Sequence, residues 1–266
     1  MEKKFEYNSF RNLLNSMLSV DFRRMFTMRL FYIMLAVSVA IPILVLVMTT
    51  MMDGTVSVDP NTGIETTVEA FDSVWQAIGT VGDSGGVSMD LTAMCNINLI
   101  YFIAAVFVCI FVADDFRSGY CKNLFTVRAK KSDYVLSKIL TCFTGGALLL
   151  LGFFGGAMIG GAISGLPFEL GTISITNIVM CIVSKILLMA VFAAIYVLMG
   201  VIGKQKLWLS VLLSLGVGMF LFNIIPMVTP LDSTMMNVVL CLAGGVLFSI
   251  SLGTVSNMLL KKRDLI

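Results

Sequence analysis

The sequence contains no histidine, and only 13% of its 266 residues are charged. The missing imidazole excludes histidine-based triads, zinc sites with histidine ligands and a histidine proton switch. A soluble domain usually carries about 25% charged residues, so the low charge content excludes that class as well. With 58% hydrophobic residues and a mean hydropathy of +0.96, the composition instead predicts an all-α polytopic membrane protein.

Motifs for nucleotide binding and redox chemistry are also missing. No G-x-x-x-x-G-K-[ST] sequence occurs, and GVIGKQK at 200–206 does not have the required spacing. There is no C-x-x-C, and the positions of the cysteines in or beside apolar runs argue against a disulfide framework. No basic stripe indicates nucleic acid as a partner. If the protein uses ATP, another chain must bind it.

Six stretches provide the roughly 20 predominantly apolar residues that a membrane-spanning helix needs. They lie near 30–52, 93–113, 136–163, 174–202, 207–229 and 236–259. Of the 18 lysines and arginines, all but Lys185 lie in the segments that this topology places in the cytoplasm. Because cytoplasmic loops are enriched in basic residues, the sequence predicts a multi-pass protein of the bacterial plasma membrane with both termini cytoplasmic.

Residues 1–29 form a predicted cytoplasmic amphipathic segment that precedes the first span. Its polar residues Asp21 and Arg24, together with Arg11 and Asn15, lie between apolar residues that recur at helical spacing. Such a helix would lie in the membrane interface. The alternative is an amphipathic extension of the first span. The apolar positions are Phe10, Leu13, Leu14, Met17, Leu18, Phe22 and Met25.

The predicted external loop at 53–92 is acidic and carries no basic residue. Turn signals occur at 59–63 and 82–86, and the apolar spacing within 68–79 predicts a short helix. This loop is interpreted either as a small folded cap or as a solvated connection between the first two spans.

The cytoplasmic loop at 114–138 interrupts two long apolar runs and reads DDFRSGYCKNLFTVRAKKSDYVLSK. Phe116, Tyr120 and Leu124 are spaced at i, i+4 and i+8, which predicts a short surface helix with these residues on one face. Asp114 and Asp115 would then lie at its N-terminus, where the helix dipole favours negative charge.

Polar residues inside the predicted spans are few. Lys185 lies about ten residues into the fourth span, which predicts a depth of about 15 Å in the membrane. An ionisable group at that depth indicates function unless it extends outward to the interface. A translocation cavity is therefore predicted, and the alternative for each asparagine is an interhelical hydrogen bond. The predicted cavity residues are Asn96, Asn98, Lys185 and Asn223.

Small residues recur every four positions in the third span, at Gly152, Gly156 and Gly160. This spacing allows close helix packing in lipid, by default against a helix of the same chain and alternatively against a second copy. Pro226 and Pro230 predict a kink or a short re-entrant segment at the end of the fifth span.

The loop sequence and the six-span pattern together resemble membrane subunits of type-2 ATP-binding-cassette exporters. In that family the loop carries an acidic residue, a glycine, a basic or polar pair, an arginine, a tyrosine and then a lysine. The family usually has glutamate at the acidic position and often proline near the arginine, whereas this chain has aspartate and no proline. The matching residues are Asp115, Gly119, Lys122, Asn123, Arg128, Tyr134 and Lys138.

The resemblance implies a permease subunit that performs no covalent chemistry and binds no cofactor. It would pair with a second permease subunit, identical or paralogous, and with two separate ATPase subunits that bind ATP and Mg²⁺. The loop would form the coupling helix docked on the ATPase, and the cargo would be an amphipathic drug, lipid-like molecule or antimicrobial peptide. The alternatives are a membrane sensor or assembly protein and an ion-coupled carrier. The implied coupling residues are Asp115, Phe116, Gly119, Tyr120, Lys122, Arg128 and Tyr134.

Overall fold

A computed structural model describes residues 2–58, 65–67, 71–79, 96–126, 130–169, 173–204, 206–222 and 224–262. Side chains are described over the same ranges except 2–13, 56–58, 65–67 and 262. Nine α-helices form within these ranges, and short strands and a 3₁₀ turn follow the second of them. The helices are α1 (Glu2–Thr27), α2 (Arg29–Met51), α3 (Leu99–Arg117), α4 (Tyr120–Thr126), α5 (Lys131–Ser164), α6 (Ile175–Gly203), α7 (Leu207–Phe222), α8 (Ile224–Val228) and α9 (Met235–Lys262).

Five of these helices, α2, α3, α5, α6 and α9, are long and apolar enough to cross a membrane. The chain is therefore an all-α multi-pass membrane protein, as its composition predicts. The predicted fifth span at 207–229 contains α7, of 16 residues, and the short α8, and residue 223 between them lies outside the described residues. At 1.5 Å per residue α7 alone is about 24 Å long, shorter than the roughly 30 Å of a bilayer core. A sixth span stays a prediction.

Helices α3 and α6 form the centre of the bundle. Large aromatic side chains, including Tyr101 and Phe107 on α3 and Tyr196 on α6, are fully buried between them and their neighbours. Helices α2 and α9 lie at the periphery and expose long apolar side chains such as Met48 and Leu247. An apolar exterior around a close-packed interior is what a lipid environment requires.

The glycines of the third span pack against α2 of the same chain. A Cβ built on Gly156 would overlap the carbonyl oxygen of Val39, and one built on Gly160 would lie 2.9 Å from the Cα of Ile43. Ser38 strengthens this contact by donating a hydrogen bond of 2.5 Å from its Oγ to the carbonyl oxygen of Leu149. Gly152 faces α2 as well. The predicted packing role of these glycines is thus intramolecular.

Part of the predicted external loop is folded against the bundle. Strands β1 (Val56–Val58) and β2 (Glu65–Thr67) pair antiparallel, and a 3₁₀ turn spans Val74–Ala77. Val74 is fully buried against α5, and the indole N–H of Trp75 donates to the carbonyl oxygen of Phe168 at 3.3 Å. The predicted helix over 68–79 is therefore wrong within the described residues 71–79, where a single 3₁₀ turn replaces it.

The helices on either side of the predicted loop at 114–138 extend into it. Helix α3 continues to Arg117, and α5 already begins at Lys131. Asp114 and Asp115 consequently lie in the last turn of α3 instead of at the start of a loop helix. Gly119 adopts a left-handed φ of 71° and separates α3 from α4, a conformation that glycine reaches without steric cost. The predicted single helix with Phe116, Tyr120 and Leu124 on one face does not form.

Candidate functional site

A cluster of charged residues lies where α1, the end of α3 and the start of α5 meet. The Nζ atom of Lys138 is 2.7 Å from Asp21 Oδ1 and 2.7 Å from Asp115 Oδ2. Asp115 also pairs with Arg24, whose Nη1 lies 2.5 Å from its Oδ1. The second guanidinium nitrogen of Arg24 reaches Asp114 Oδ2 at 3.3 Å. These five residues are referred to below as the ion network.

Hydroxyl groups donate further hydrogen bonds to the two buried carboxylates, Asp115 and Asp21. Tyr134 donates from its hydroxyl to Asp115 Oδ2 at 2.9 Å, and Ser137 donates from its Oγ to Asp21 Oδ2 at 2.6 Å. The side chains of Asp115 and Lys138 are completely buried. Buried charges are stable only when they are paired and hydrogen-bonded. The network therefore ties three helices together, and removal of one of its buried members would leave an unpaired charge in the interior.

Aromatic rings cover the cations of the ion network. Lys138 Nζ lies 4.1 Å from the ring centroid of Phe111, and Arg24 Cζ lies 4.5 Å from that of Tyr120. Both distances fall within the range of cation–π attraction. Because Tyr120 is the first residue of α4, its contact with Arg24 links the short helix directly to α1.

Electrostatics keep Arg24 and Tyr120 in their ordinary charge states. Partial burial lowers the pKa of Arg24, but the attraction of Asp115 outweighs this effect and the net pKa is raised. Burial raises the pKa of the Tyr120 hydroxyl. At neutral pH, Arg24 is therefore a cation and Tyr120 a neutral ring that stacks on it.

The predicted coupling residues separate into internal and surface groups. Asp115 and Tyr134 are internal, whereas Lys122 and Asn123 are exposed on α4. Tyr120 is half-buried, and Gly119 forms the turn before it. Arg128 lies outside the described residues.

The prediction that Phe116 is exposed on a surface helix is wrong. Its side chain is only 8% exposed, because it belongs to the last turn of α3 and packs into the core. Its part in coupling to an ATPase stays a prediction, and any such part would act through packing inside the chain.

The predicted place of Asp21 on the polar face of α1 is wrong, because Asp21 shares the buried stripe with Met17 and Met25. Its spacing of four residues from both methionines fits this stripe, although the sequence also allows a neighbouring stripe through Leu18. An acidic residue within the apolar stripe of an amphipathic helix indicates a buried cationic partner.

Cys121 on α4 offers a test of this packing. Burial raises the pKa of its thiol to about 12, so roughly one molecule in 10⁴ carries the thiolate at pH 8, against about one in four for an ordinary cysteine. A chain retaining only Cys121 is expected to react with a maleimide about 10³-fold more slowly than one carrying only Thr126→Cys.

The rate for Cys121 should also rise about tenfold per pH unit from pH 8 to 10, while the rate at the exposed position 126 levels off. The measurement is the pseudo-first-order labelling rate in detergent. Equal rates at the two positions would contradict the burial of Cys121.

A second polar cluster surrounds Lys185 on α6, whose side chain is 1% exposed. Its Nζ donates to Asn98 Oδ1 at 3.0 Å and to Thr229 Oγ1 at 3.1 Å. Tyr101 donates from its hydroxyl to the Lys185 carbonyl oxygen at 2.8 Å. The Lys185 side chain is therefore buried within the bundle, and its depth in a membrane stays a prediction.

The structure brings three of the predicted cavity residues together. Asn96 accepts a hydrogen bond of 2.9 Å from the backbone N–H of Asn98, which in turn binds Lys185. Asn223 lies outside the described residues. Thr229 was not predicted as part of this cluster. Nothing in the sequence around a single threonine between two prolines indicates its contact with Lys185, 44 residues earlier in the chain.

Within the described ranges, no group of three or more cysteine and acidic side chains is arranged to hold a metal ion. No family model matches this sequence, and no curated protein or solved structure is similar enough to match it. The fold and the two clusters therefore define a class, an all-α multi-pass membrane protein with buried lysines at two sites.

Proposed function

We propose that this chain is the permease subunit of a type-2 ATP-binding-cassette exporter, with α4 as its coupling helix. The observation that carries the proposal is the attachment of an exposed short helix, through aromatic contacts, to the ion network that joins three longer helices. Lys122 and Asn123 point away from the bundle, while Tyr120 stacks on Arg24 at 4.5 Å.

The remaining contacts of α4 make it suitable for transmitting force. Phe125 packs edge-on against Tyr134 with 5.6 Å between ring centroids, and Tyr134 binds Asp115. Cys121 is buried on the same side of the helix. A displacement of α4 would therefore act on α1, α3 and α5 together, since the ion network joins all three.

The proposed topology has six spans, with α7 and α8 together forming the fifth. They cover 207–222 and 224–228, which is enough for a tilted or kinked crossing. The distribution of lysine and arginine supports cytoplasmic termini in a plasma membrane and a cytoplasmic position for α4.

The complete transporter would contain two permease subunits, identical or paralogous, and two ATPase subunits that bind ATP and Mg²⁺. ATP-driven closure of the ATPases would move α4, and the helices attached to it would open a pathway between the permeases. The apolar spans suit an amphipathic cargo, such as an antimicrobial peptide, a drug or a lipid-like molecule.

The test is to purify the tagged chain from its native membranes in mild detergent, to identify co-purifying chains and to measure ATP hydrolysis. A stoichiometric ATPase is expected. Lys122→Glu should lower its recovery or its activity at least about tenfold, because reversing an exposed charge in an interface introduces like-charge repulsion or unpaired charge. The matched control is Lys206→Glu, which reverses another exposed lysine outside α4.

A homogeneous particle without any ATPase would contradict the proposal and favour a sensor, an assembly protein or an ion-coupled carrier. If the ATPase binds the Lys122→Glu and Lys206→Glu variants of this chain equally well, its docking surface does not include Lys122 on α4.

A further inference from the structure

The chain buries two lysines completely among its described residues, and their surroundings differ in charge. Lys138 has carboxylates from Asp21 and Asp115 at 2.7 Å each. Lys185 is 1% exposed, yet it binds only the neutral oxygens of Asn98 and Thr229. Among the described residues, one buried lysine is thus fully neutralised and the other has no acidic partner.

The hydrogen bonds of Lys185 are well defined. Thr229 donates its own hydroxyl hydrogen to the carbonyl oxygen of Ile225 at 2.8 Å, so toward Lys185 it acts as an acceptor. A lysine ammonium has three N–H donors, and the structure gives it two acceptors. Carboxylates form shorter and roughly twice stronger hydrogen bonds with ammonium groups than neutral oxygens do.

Groups on the neighbouring elements do not supply the missing charge. The titratable side chains that interact with Lys185 are the thiols of Cys181, one turn earlier on α6, and Cys241 on α9. Asp232, three residues beyond Thr229, is exposed and forms no ion pair with Lys185. In the part of the chain that the structure describes, no carboxylate lies within the 4.0 Å limit of an ion pair to this amine.

The positions of Asn98 and Thr229 would allow another hydrogen-bond acceptor to replace them. Asn98 immediately precedes α3, and Thr229 immediately follows α8. Both acceptors are therefore at helix ends, whereas Lys185 is held inside a 29-residue helix. Small movements of these ends would release the amine to another acceptor without unwinding α6.

We propose that Lys185 is a recognition site for the carboxylate of an amphipathic anion, which replaces Asn98 and Thr229 as its hydrogen-bond acceptor. This inference rests on the proposed function for its role in transport, where it specifies an anionic head group on the cargo. The binding step itself needs neither ATP nor a partner chain.

The first experiment measures binding of sodium dodecanoate to the purified protein in a non-ionic detergent, with dodecanol as the uncharged probe of equal chain length. Dodecanoate is expected to raise the melting temperature and dodecanol is not. Lys185→Gln should weaken dodecanoate binding at least about tenfold, because it removes the cation that pairs with the carboxylate. Lys185→Arg should retain binding, and Lys206→Gln is the matched control at an exposed lysine.

A second variant keeps the test decisive if Lys185→Gln fails to fold. Asn98→Asp places a carboxylate at the position where the Asn98 oxygen lies 3.0 Å from Nζ. It should stabilise the protein against heat and abolish the selective effect of dodecanoate, since the amine would already be paired. Unchanged dodecanoate binding in Asn98→Asp or in a folded Lys185→Gln would overturn the proposal, as would equal effects of dodecanoate and dodecanol.

Failure of the transport function would look different. Selective dodecanoate binding without a co-purifying ATPase would support the Lys185 site and reject the exporter. A coupled ATPase with no preference for dodecanoate over dodecanol would support the exporter and reject the site.

Discussion

Lys138→Met is expected to lower the free energy of unfolding by about 3–5 kcal/mol, because it leaves uncompensated carboxylates in the interior. Asp21 and Asp115 would lose the ammonium that lies 2.7 Å from each of them, while Arg24 would remain on one oxygen of Asp115. The measurement is thermal unfolding of the detergent-purified protein, monitored as the loss of its monodisperse peak in size-exclusion chromatography. A loss of this size corresponds to roughly 6–20 °C in melting temperature.

The matched control is Lys122→Met, which removes an exposed lysine and should change stability by no more than about 0.5 kcal/mol. The triple variant Asp21→Asn, Asp115→Asn, Lys138→Met removes the buried charges together and should recover much of the loss, since the penalty comes from unpaired charge. If Lys138→Met melts at the same temperature as Lys122→Met, the ion network does not hold the three helices together.

Gly156→Ala is expected to destabilise the protein by about 1–3 kcal/mol, because the new methyl group overpacks the contact between α2 and α5. A Cβ at this position would overlap the carbonyl oxygen of Val39 and lie 2.8 Å from Cγ of Pro42. Neither neighbour is the flexible end of a side chain, so the helices must separate to accommodate it. Thermal unfolding in the same detergent measures the effect.

The adjacent Gly155→Ala is the control for this prediction. A Cβ on Gly155 would meet no heavy atom within 4 Å, and alanine is favoured over glycine in a helix by up to about 1 kcal/mol. This variant should therefore be as stable as the parent or more stable. Equal destabilisation of the two variants would contradict the prediction, because the loss at position 156 could then not be assigned to its contact with α2.

The approximate positions of the five long apolar helices were accessible from the sequence, because the length of an apolar run is a local property. The predicted span at 30–52 corresponds to Arg29–Met51, and that at 174–202 corresponds to Ile175–Gly203. The ends were less accurate where charged residues continue a helix. Asp115 and Lys138 fall inside helices because their charges are neutralised by partners that a local pattern does not reveal.

The α1 side of the ion network was not predicted because its partners are distant in sequence. Asp21 and Lys138 are 117 residues apart, and Arg24 and Asp115 are 91 residues apart. The apolar residues of α1 also allow two neighbouring stripes, one through Met17 and one through Leu18. Only packing against α5 determines that the Met17 stripe, which contains Asp21, faces inward.

The grouping of polar residues around Lys185 could be predicted for a physical reason, whereas the translocation cavity itself stays a prediction. Polar groups inside an apolar bundle find one another because each lacks other partners. Lys185 and Asn98 were therefore predicted to lie in the same cluster. Thr229 was not, because it follows α8 in a segment whose path depends on tertiary packing.

Helix α3 has one cluster at each end, with Asn98 before its first residue and Asp115 in its last turn. Its 19 residues make a rod of about 28 Å, and a rod transmits tilt from one end to the other. Any influence of an anion at Lys185 on a protein bound at α4 must then be reciprocal, because thermodynamic linkage requires each ligand to change the other's affinity by the same factor. Helix α3 would thus couple the two sites in both directions, so that binding at Lys185 would change the affinity at α4 and binding at α4 would change the affinity at Lys185.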